Sequence, residues 1–455
     1  MGAEEKLVAF IHDTRLSDIP AVALETVKNQ ILAVIGTTIA GATADGCEAA
    51  VQLYRDLGGK EEATILIHGG RIPAQDAAFV NGVMARALDF CDSMAPGPHP
   101  GSSVITAGLA ASELVGGCSG RDFITSVAVG TEVAARLNLS EAAYDGFDPT
   151  GICVPFGAAS AVAKVLGLGP KETWNALALV FNSCGGSFQS HIDGSLGVRF
   201  VQGRVAQSGV ISARLAAKGI TGPQNFLDGV YGYFHLYGKD LFTGETALSD
   251  LGNTYNLLKL VFKKYPSCAL TAGSTELTLA LVAEEGLRAE DVERIDITVP
   301  PYTHKLVGHA FEIGDTPKVN AQFSIQYCVA NALLRRSSKL VHFEEEPIKD
   351  PRIAALTKKI NVLSDKGLEV RGHTPLDMRV VTRSGKEYLR RLDVAPGFPG
   401  NPLTKKDHEQ RFWDCIDFAE RLIPPETAEK IVSLVDRIEA LEDIRMLIPL
   451  LLSKA

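Results

Sequence analysis

The sequence predicts a mainly α protein with an α+β part, that is, a large all-helical bundle domain joined to a smaller α+β domain. Three observations carry this. Ala-rich apolar stripes with helical spacing recur from Ala21 to Lys218, the pattern shifts toward a period of two beyond Leu270, and helical spacing returns after Pro402. The 455 residues exceed what one hydrophobic core usually supports, which agrees with two domains. The expected division is a discontinuous helical domain over 1–268 and 400–455, interrupted by an α+β domain over 269–399.

The elements follow in order. From Ala21 to Ala40, Val22, Leu24, Val27, Ile31, Leu32 and Ile35 form one face, with Glu25, Lys28 and Asn29 opposite. Pro73 to Cys91 reads as the next helix, with proline at its first position and an alanine stripe that lets helices approach closely. Ser102–Leu114, Phe123–Leu137, Gly157–Leu166, Thr173–Cys184 and Val205–Lys218 complete the first helical series. The third of these stops at Gly167-Leu168-Gly169-Pro170. After a helix over Ser274–Glu285, Val292–Val299 alternates apolar and polar residues as a strand does. Met378–Val394 reads as a hairpin turning at Ser384-Gly385. Phe323–Leu334 and Pro351–Lys359 read as helices between them. Lys405–Leu422, Pro425–Val435 and Ile438–Leu452 close the chain as helices.

Composition narrows the function. Lys and Arg number 45 against 54 Asp and Glu, a net charge of −9, which gives no footprint for nucleic acid. The most apolar stretch, Ile31–Ala44, is shorter than the roughly 20 residues a membrane span needs, so no membrane partner is expected. The eight cysteines are scattered without CxxC spacing, and no HExxH occurs, so they read as thiols of a reduced compartment and no metal is expected. The first residues lack the charged start and apolar core of a signal peptide, which makes the cytoplasm the expected location. No GxGxxG follows a strand and no GxxxxGK[ST] is present, so no cofactor is expected.

What remains is a Pro/Gly-rich loop with polar groups, Asp89 to Ser103, between two Ala-rich helices. Prolines on both sides of His99 restrict the backbone and would hold an imidazole in place. The same loop can equally be a helix connection, with Asp92 or Ser93 as a local cap. His191 lies in a further loop, Lys263 and Lys264 stand beside the Pro266 turn, and Tyr327 sits on an apolar helix where aromatic packing is the ordinary role.

In chain order, Asn81-Gly82, Ala87-Leu88-Asp89-Phe90-x-Asp92, His99-Pro100-Gly101-Ser102-Ser103, Phe147-x-Pro149-Thr150 and Phe156-Gly157-Ala158-Ala159 form an ordered set. Gly194-Ser195 with Arg199, Gly203 to Gly209, Gly222-Pro223, Lys263-x-Tyr265-Pro266-Ser267-Cys268 and Phe323 to Cys328 continue it. This set resembles the MmgE/PrpD family over about Ala21 to Leu422. The resemblance implies a helical domain with an α+β lid domain, a homodimer without cofactor, and a small organic acid as substrate. It implies that His99 is acid or base, oriented by Asp89, that Lys263 holds a carboxylate and that Tyr327 donates a hydrogen bond or proton, these four being the catalytic set. Ser93, Arg199, Asp148, Cys268 and His191 are the implied substrate-binding set.

Three departures from the family pattern shape the expectation. Asp148 stands where a histidine is usual, Val198 where a lysine precedes Arg199, and Cys268 where some decarboxylating members have histidine. The pocket is therefore expected to hold an acid less anionic than 2-methylcitrate. The leading expectation is a cofactor-independent lyase, with dehydratase-type elimination through proton abstraction next to a carboxylate. An isomerase or epimerase using the same abstraction is the alternative, and a non-catalytic dimeric binding protein is the second.

Overall fold

The computed structural model describes residues 2–453. The chain forms two compact units: residues up to Leu260 together with those from Cys415 onward, and Val261–Asp414. Lys263 and Cys268, assigned to the helical domain by the sequence, therefore belong to the second unit. A physical reason is that the strand-like entry to this unit pairs with its exit loop, Phe262 N donating to the Gly397 carbonyl at 3.1 Å. The second boundary falls inside the helix Lys405–Phe418. Among the described residues no helix is long and apolar enough to cross a membrane.

The first unit is built from helices α1 (Ala21–Gly41), α2 (Ala74–Arg86), α3 (Pro100–Leu114), α4 (Gly120–Arg136), α5 (Pro149–Val165) and α6 (Gly197–Ala217), with shorter helices around them. The inner helices α3, α4 and α5 are buried on nearly every face, and in α3 and α5 the residues accordingly form apolar runs with little amphipathic contrast. Small residues permit this packing. A Cβ on Gly130 would come within 2.6 Å of the Gly157 carbonyl, and one on Gly157 within 2.4 Å of the Gly130 carbonyl, so α4 and α5 cross backbone to backbone.

The boundaries differ from the sequence expectation in ways that matter for the site. Helix α2 stops at Arg86 instead of Cys91, because Asp89 takes a left-handed conformation, φ 51°, and turns the chain. Helix α5 begins at Pro149, two turns before the expected Gly157. Pro155 is accommodated inside it, and Asp148 caps it. The expected last helix, Ile438–Leu452, is instead two 3₁₀ segments, Ile438–Ala440 and Ile444–Leu451, with Asp443 accepting from Arg445 N and Pro449 inside the second.

The second unit holds a four-stranded sheet of β1 (Val292–Val299), β2 (Ile360–Ser364), β3 (Leu376–Thr382) and β4 (Glu387–Leu392), in the order β2-β1-β3-β4. β1 runs parallel to β2, with Ile297 opposite Val362, and antiparallel to β3, with Ile297 opposite Met378. The β3–β4 hairpin pairs Val380 with Tyr388, as its turn residues predicted. Helices α7 (Ala272–Glu285) and α8 (Ile325–Arg335) supply Leu281, Ile325, Cys328 and Val329 to the core that Ile295, Ile297, Met378 and Val380 join from the sheet.

Candidate active site

The loop between α2 and α3 gathers the polar residues of the candidate site in the first unit. Its geometry starts from Asp92, whose side chain is fully buried: Oδ2 accepts from Gln30 Nε2 of α1 at 2.8 Å and from Gly101 N at 3.0 Å. That second bond satisfies one of the amides that a helix N-terminus leaves unpaired, so Asp92 ties the loop to the start of α3. Glycine at 101 is required by closeness, since a Cβ there would lie 2.3 Å from Asp92 Oδ1.

His99 is the residue just before α3 and is 8% exposed. Its amide donates to Thr150 Oγ1 at 3.1 Å, which fixes its backbone against the start of α5. Thr150 is held in turn by Asp148, whose Oδ1 accepts from Thr150 N at 2.9 Å, while Gln202 Nε2 of α6 reaches Thr150 Oγ1 at 3.3 Å. The ring is aimed from its other side: Nδ1 lies 2.7 Å from the Asp92 carbonyl oxygen. A carbonyl only accepts, so Nδ1 carries the proton, and in the neutral ring the lone pair is on Nε2. Cys91 Sγ is 3.5 Å from the same Nδ1, and burial pushes its thiol up to about 11, so it stays neutral.

On the Nε2 side stands Asp89, with Oδ1 at 3.9 Å. Arg86 of α2 reaches the same oxygen with Nη1 at 2.7 Å. Burial works against the Arg86 charge, yet the nearby carboxylates, Asp89 first and then Asp148, outweigh burial and hold its pKa above the ordinary arginine value. The left-handed backbone at Asp89 is a conformation that costs on the order of 1–3 kcal/mol for a residue with a Cβ, and it places the carboxylate between the guanidinium and the imidazole.

The sequence-selected residues thus divide. Asp89, His99 and Asp148 lie in one hydrogen-bonded or electrostatically linked group, and Ser93 follows Asp92 directly in the loop. The ring of His99 is oriented by the Asp92 carbonyl, however, and Asp89 meets its opposite nitrogen; this corrects the expectation that Asp89 sets the orientation. Asp148 serves as the cap of α5. Arg199 donates through Nη1 to the Asp45 carbonyl, and burial lowers its pKa. His191 lies in the short helix Gln189–Ile192 with its ring stacked on Phe188 at 4.2 Å between centroids.

In the second unit, Lys263 is 6% exposed just after the Val261–Phe262 strand, and Cys268 N donates to the Gln322 carbonyl at 2.9 Å. Tyr327 is fully buried on α8, packed between Phe311 and Phe343, and its hydroxyl donates to the His342 carbonyl. Burial pushes its pKa well up. The expectation of a phenol directed at substrate is thereby corrected to a core tyrosine whose hydroxyl is engaged with backbone.

Sequence reasoning gave no role to Arg86, Gln30, Thr150 or Gln202, although Thr150 stands in the quoted motif Phe147-x-Pro149-Thr150. Arg86 had a readable signal, an isolated charge between Ala85 and Ala87, three residues before Asp89. The other three act through long-range contacts that no local spacing reveals. Among the described residues no group of three or more His, Cys, Asp or Glu is gathered as a metal site.

The family model for the MmgE/PrpD N-terminal domain matches residues 5–243, and that for the MmgE/PrpD C-terminal domain matches residues 265–440. The chain is similar to human cis-aconitate decarboxylase, 25% identical over 98% of this chain and 94% of that protein. It is also similar to the mitochondrial 2-methylcitrate dehydratase of Yarrowia lipolytica, 23% identical over 82% and 74%, and to Escherichia coli 2-methylcitrate dehydratase, 25% identical over 69% and 68%.

Proposed function

The chain belongs to the MmgE/PrpD family, and from that premise we propose that it is a cofactor-independent lyase that eliminates water from a small organic acid. The relatives' names describe lyases of two kinds, a decarboxylase and a dehydratase, and both reactions generate negative charge beside a carboxylate. The observation that carries the reading is the fixed tautomer of His99, with Nδ1–H on the Asp92 carbonyl and a basic Nε2 beside Asp89. In the proposed step Nε2 takes the proton from the carbon next to the carboxylate. The electron pair forms the new double bond, the bond to the β-hydroxyl breaks, and the departing oxygen takes the proton now on Nε2 to leave as water, which returns the ring to its neutral form. Asp89, an anion 3.9 Å from Nε2, stabilises the imidazolium formed on the way.

The substrate is an acid less anionic than 2-methylcitrate. Two features of the first unit support this: Asp148 adds a carboxylate to the Arg86 group, and Val198 supplies no charge beside Arg199, which is itself directed at the Asp45 carbonyl.

The test is incubation of candidate hydroxy acids in heavy water, followed by proton NMR. The expected outcome is loss of acid with new olefinic signals, abolished in His99→Ala. Deuterium in recovered acid without net elimination would replace the lyase with an epimerase. Ligand-induced thermal stabilisation without turnover, unchanged by His99→Ala, would replace both with a binding protein.

A further inference from the structure

Arg86 is 5% exposed and sits at the last turn of α2, with Nη1 2.7 Å from Asp89 Oδ1. His99 Nε2 faces that same oxygen from 3.9 Å. A permanent cation and a titratable ring therefore share one carboxylate oxygen, and the cation holds the shorter contact. We propose that Arg86 is a positioning residue that restrains Asp89 from closing into a full ion pair with His99, and so keeps the imidazole in its neutral, proton-accepting form.

The physical argument is competitive. A carboxylate released to hydrogen-bond distance of an imidazole favours the imidazolium strongly, which would remove the base at neutral pH. Arginine suits the restraint because its charge persists at every working pH and its planar donors fix the direction of the carboxylate. The left-handed turn at Asp89 adds to this, since it binds the carboxylate's backbone to α2 through the Asp89 N–H and the Arg86 carbonyl at 3.1 Å.

The charged and titratable groups around the ring fit the same account. From its own loop come Asp89, the neutral thiol of Cys91, and Asp92, whose Oδ2 is hydrogen-bonded to Gln30 and Gly101. From α5 comes Asp148, one hydroxyl removed through Thr150. From α2 comes Arg86, and from α6 Arg199, whose charge is felt at Arg86.

The inference rests on His99 acting as the base, but titration of its ring can be followed whether or not it does so. The experiment is an NMR titration of the protein labelled at histidine, with His99 assigned by its loss in His99→Gln. Arg86→Met is expected to raise the His99 pKa by about one unit, with the acid limb of kcat/KM moving the same way. Arg86→Lys should return it close to the parent value. In an Asp89→Asn background the rise from Arg86→Met should shrink to less than half. A folded Arg86→Met protein with an unchanged or lowered His99 pKa would overturn the proposal, as would an equal rise with Asn at 89. Should circular dichroism show Arg86→Met unfolded, Arg86→Gln, which removes the charge and keeps a polar side chain, takes its place in the same titration. A raised His99 pKa then supports the proposal, and an unchanged or lowered one overturns it. Failure of the lyase reading shows separately, as turnover that survives His99→Ala.

Discussion

The 2.7 Å contact from His99 Nδ1 to the Asp92 carbonyl assigns the two ring nitrogens to different tasks. One is spent on orientation, and the other remains for chemistry. Because the Asp92 carboxylate is itself clamped by Gln30 and Gly101, the loop backbone that presents this carbonyl is anchored at two points.

His99→Ala should lower turnover by roughly 10²–10⁴, the range typical for loss of an acid–base group. Circular dichroism and the melting temperature should remain close to those of the parent. A variant at full rate would remove His99 from the mechanism.

Gly101→Ala tests the clamp. Its methyl would fall 2.3 Å from Asp92 Oδ1 and 2.9 Å from Val34 Cγ2, so the carboxylate must move and leave Gln30 Nε2 without its acceptor. The expected loss is about 1–3 kcal/mol in urea unfolding, the range for a buried polar group left unpaired, together with reduced turnover. Unchanged stability would show that the loop tolerates a second arrangement.

Asp148 separates a cap from a substrate contact. As a cap, Asp148→Ala should cost about 1 kcal/mol, while Asp148→Asn should be nearly neutral in both stability and KM. A large KM change in a fully stable Asp148→Asn protein would instead assign the carboxylate to the substrate.

Lys263→Ala should raise KM more than it lowers kcat if the ammonium binds a carboxylate. The reverse pattern, a fall in kcat with KM unchanged, would give Lys263 a chemical role.

Acid should destabilise the second unit through two neutral histidines, His408 buried and His342 half-buried. Burial, with Arg335 and Lys339 nearby, pushes His342 down to about 4, and burial beside Arg411 pushes His408 down to about 3. An unfolded chain protonates these rings near 6.5, while the folded one resists. Their contribution is therefore fully present above pH 6.5 and is lost as pH falls from there toward 4. His342→Asn, which keeps an acceptor for Lys339 N, should flatten the drop in urea midpoint between pH 7.5 and 5. Equal drops in parent and variant would contradict this.

Much of the fold was readable because its signals are local. The β1 strand occupies Val292–Val299 as its alternation predicted, and α1 begins at Ala21 as expected. β2 was missed because it is only five residues long and its apolar residues, Ile360, Val362 and the adjacent Leu363, do not alternate cleanly with polar ones. The first two turns of α5 were missed because Pro155 reads as a breaker, whereas the capping of Asp148 and the packing of buried Ile152 and Val154 sustain the helix through it. In the site, Asp89 and His99 were legible as polar groups in a stiff loop between apolar helices. The source of the ring's orientation was not, since it is a backbone carbonyl, and every residue has one. Nor was the fate of the Tyr327 hydroxyl, which depends on where His342, 15 positions away, happens to fold back.

The touching backbones at Gly130 and Gly157 have a consequence for the chemistry far from them. Thr150, which holds the His99 amide, lies on the same rigid rod as Gly157, about 10 Å along at 1.5 Å per residue. A methyl wedged into that crossing would act as a fulcrum, converting a small tilt of α5 into displacement of the imidazole. Impaired variants recovered from random mutagenesis should therefore cluster at such glycine crossings as well as in the loop, and suppressors should map to the facing helix.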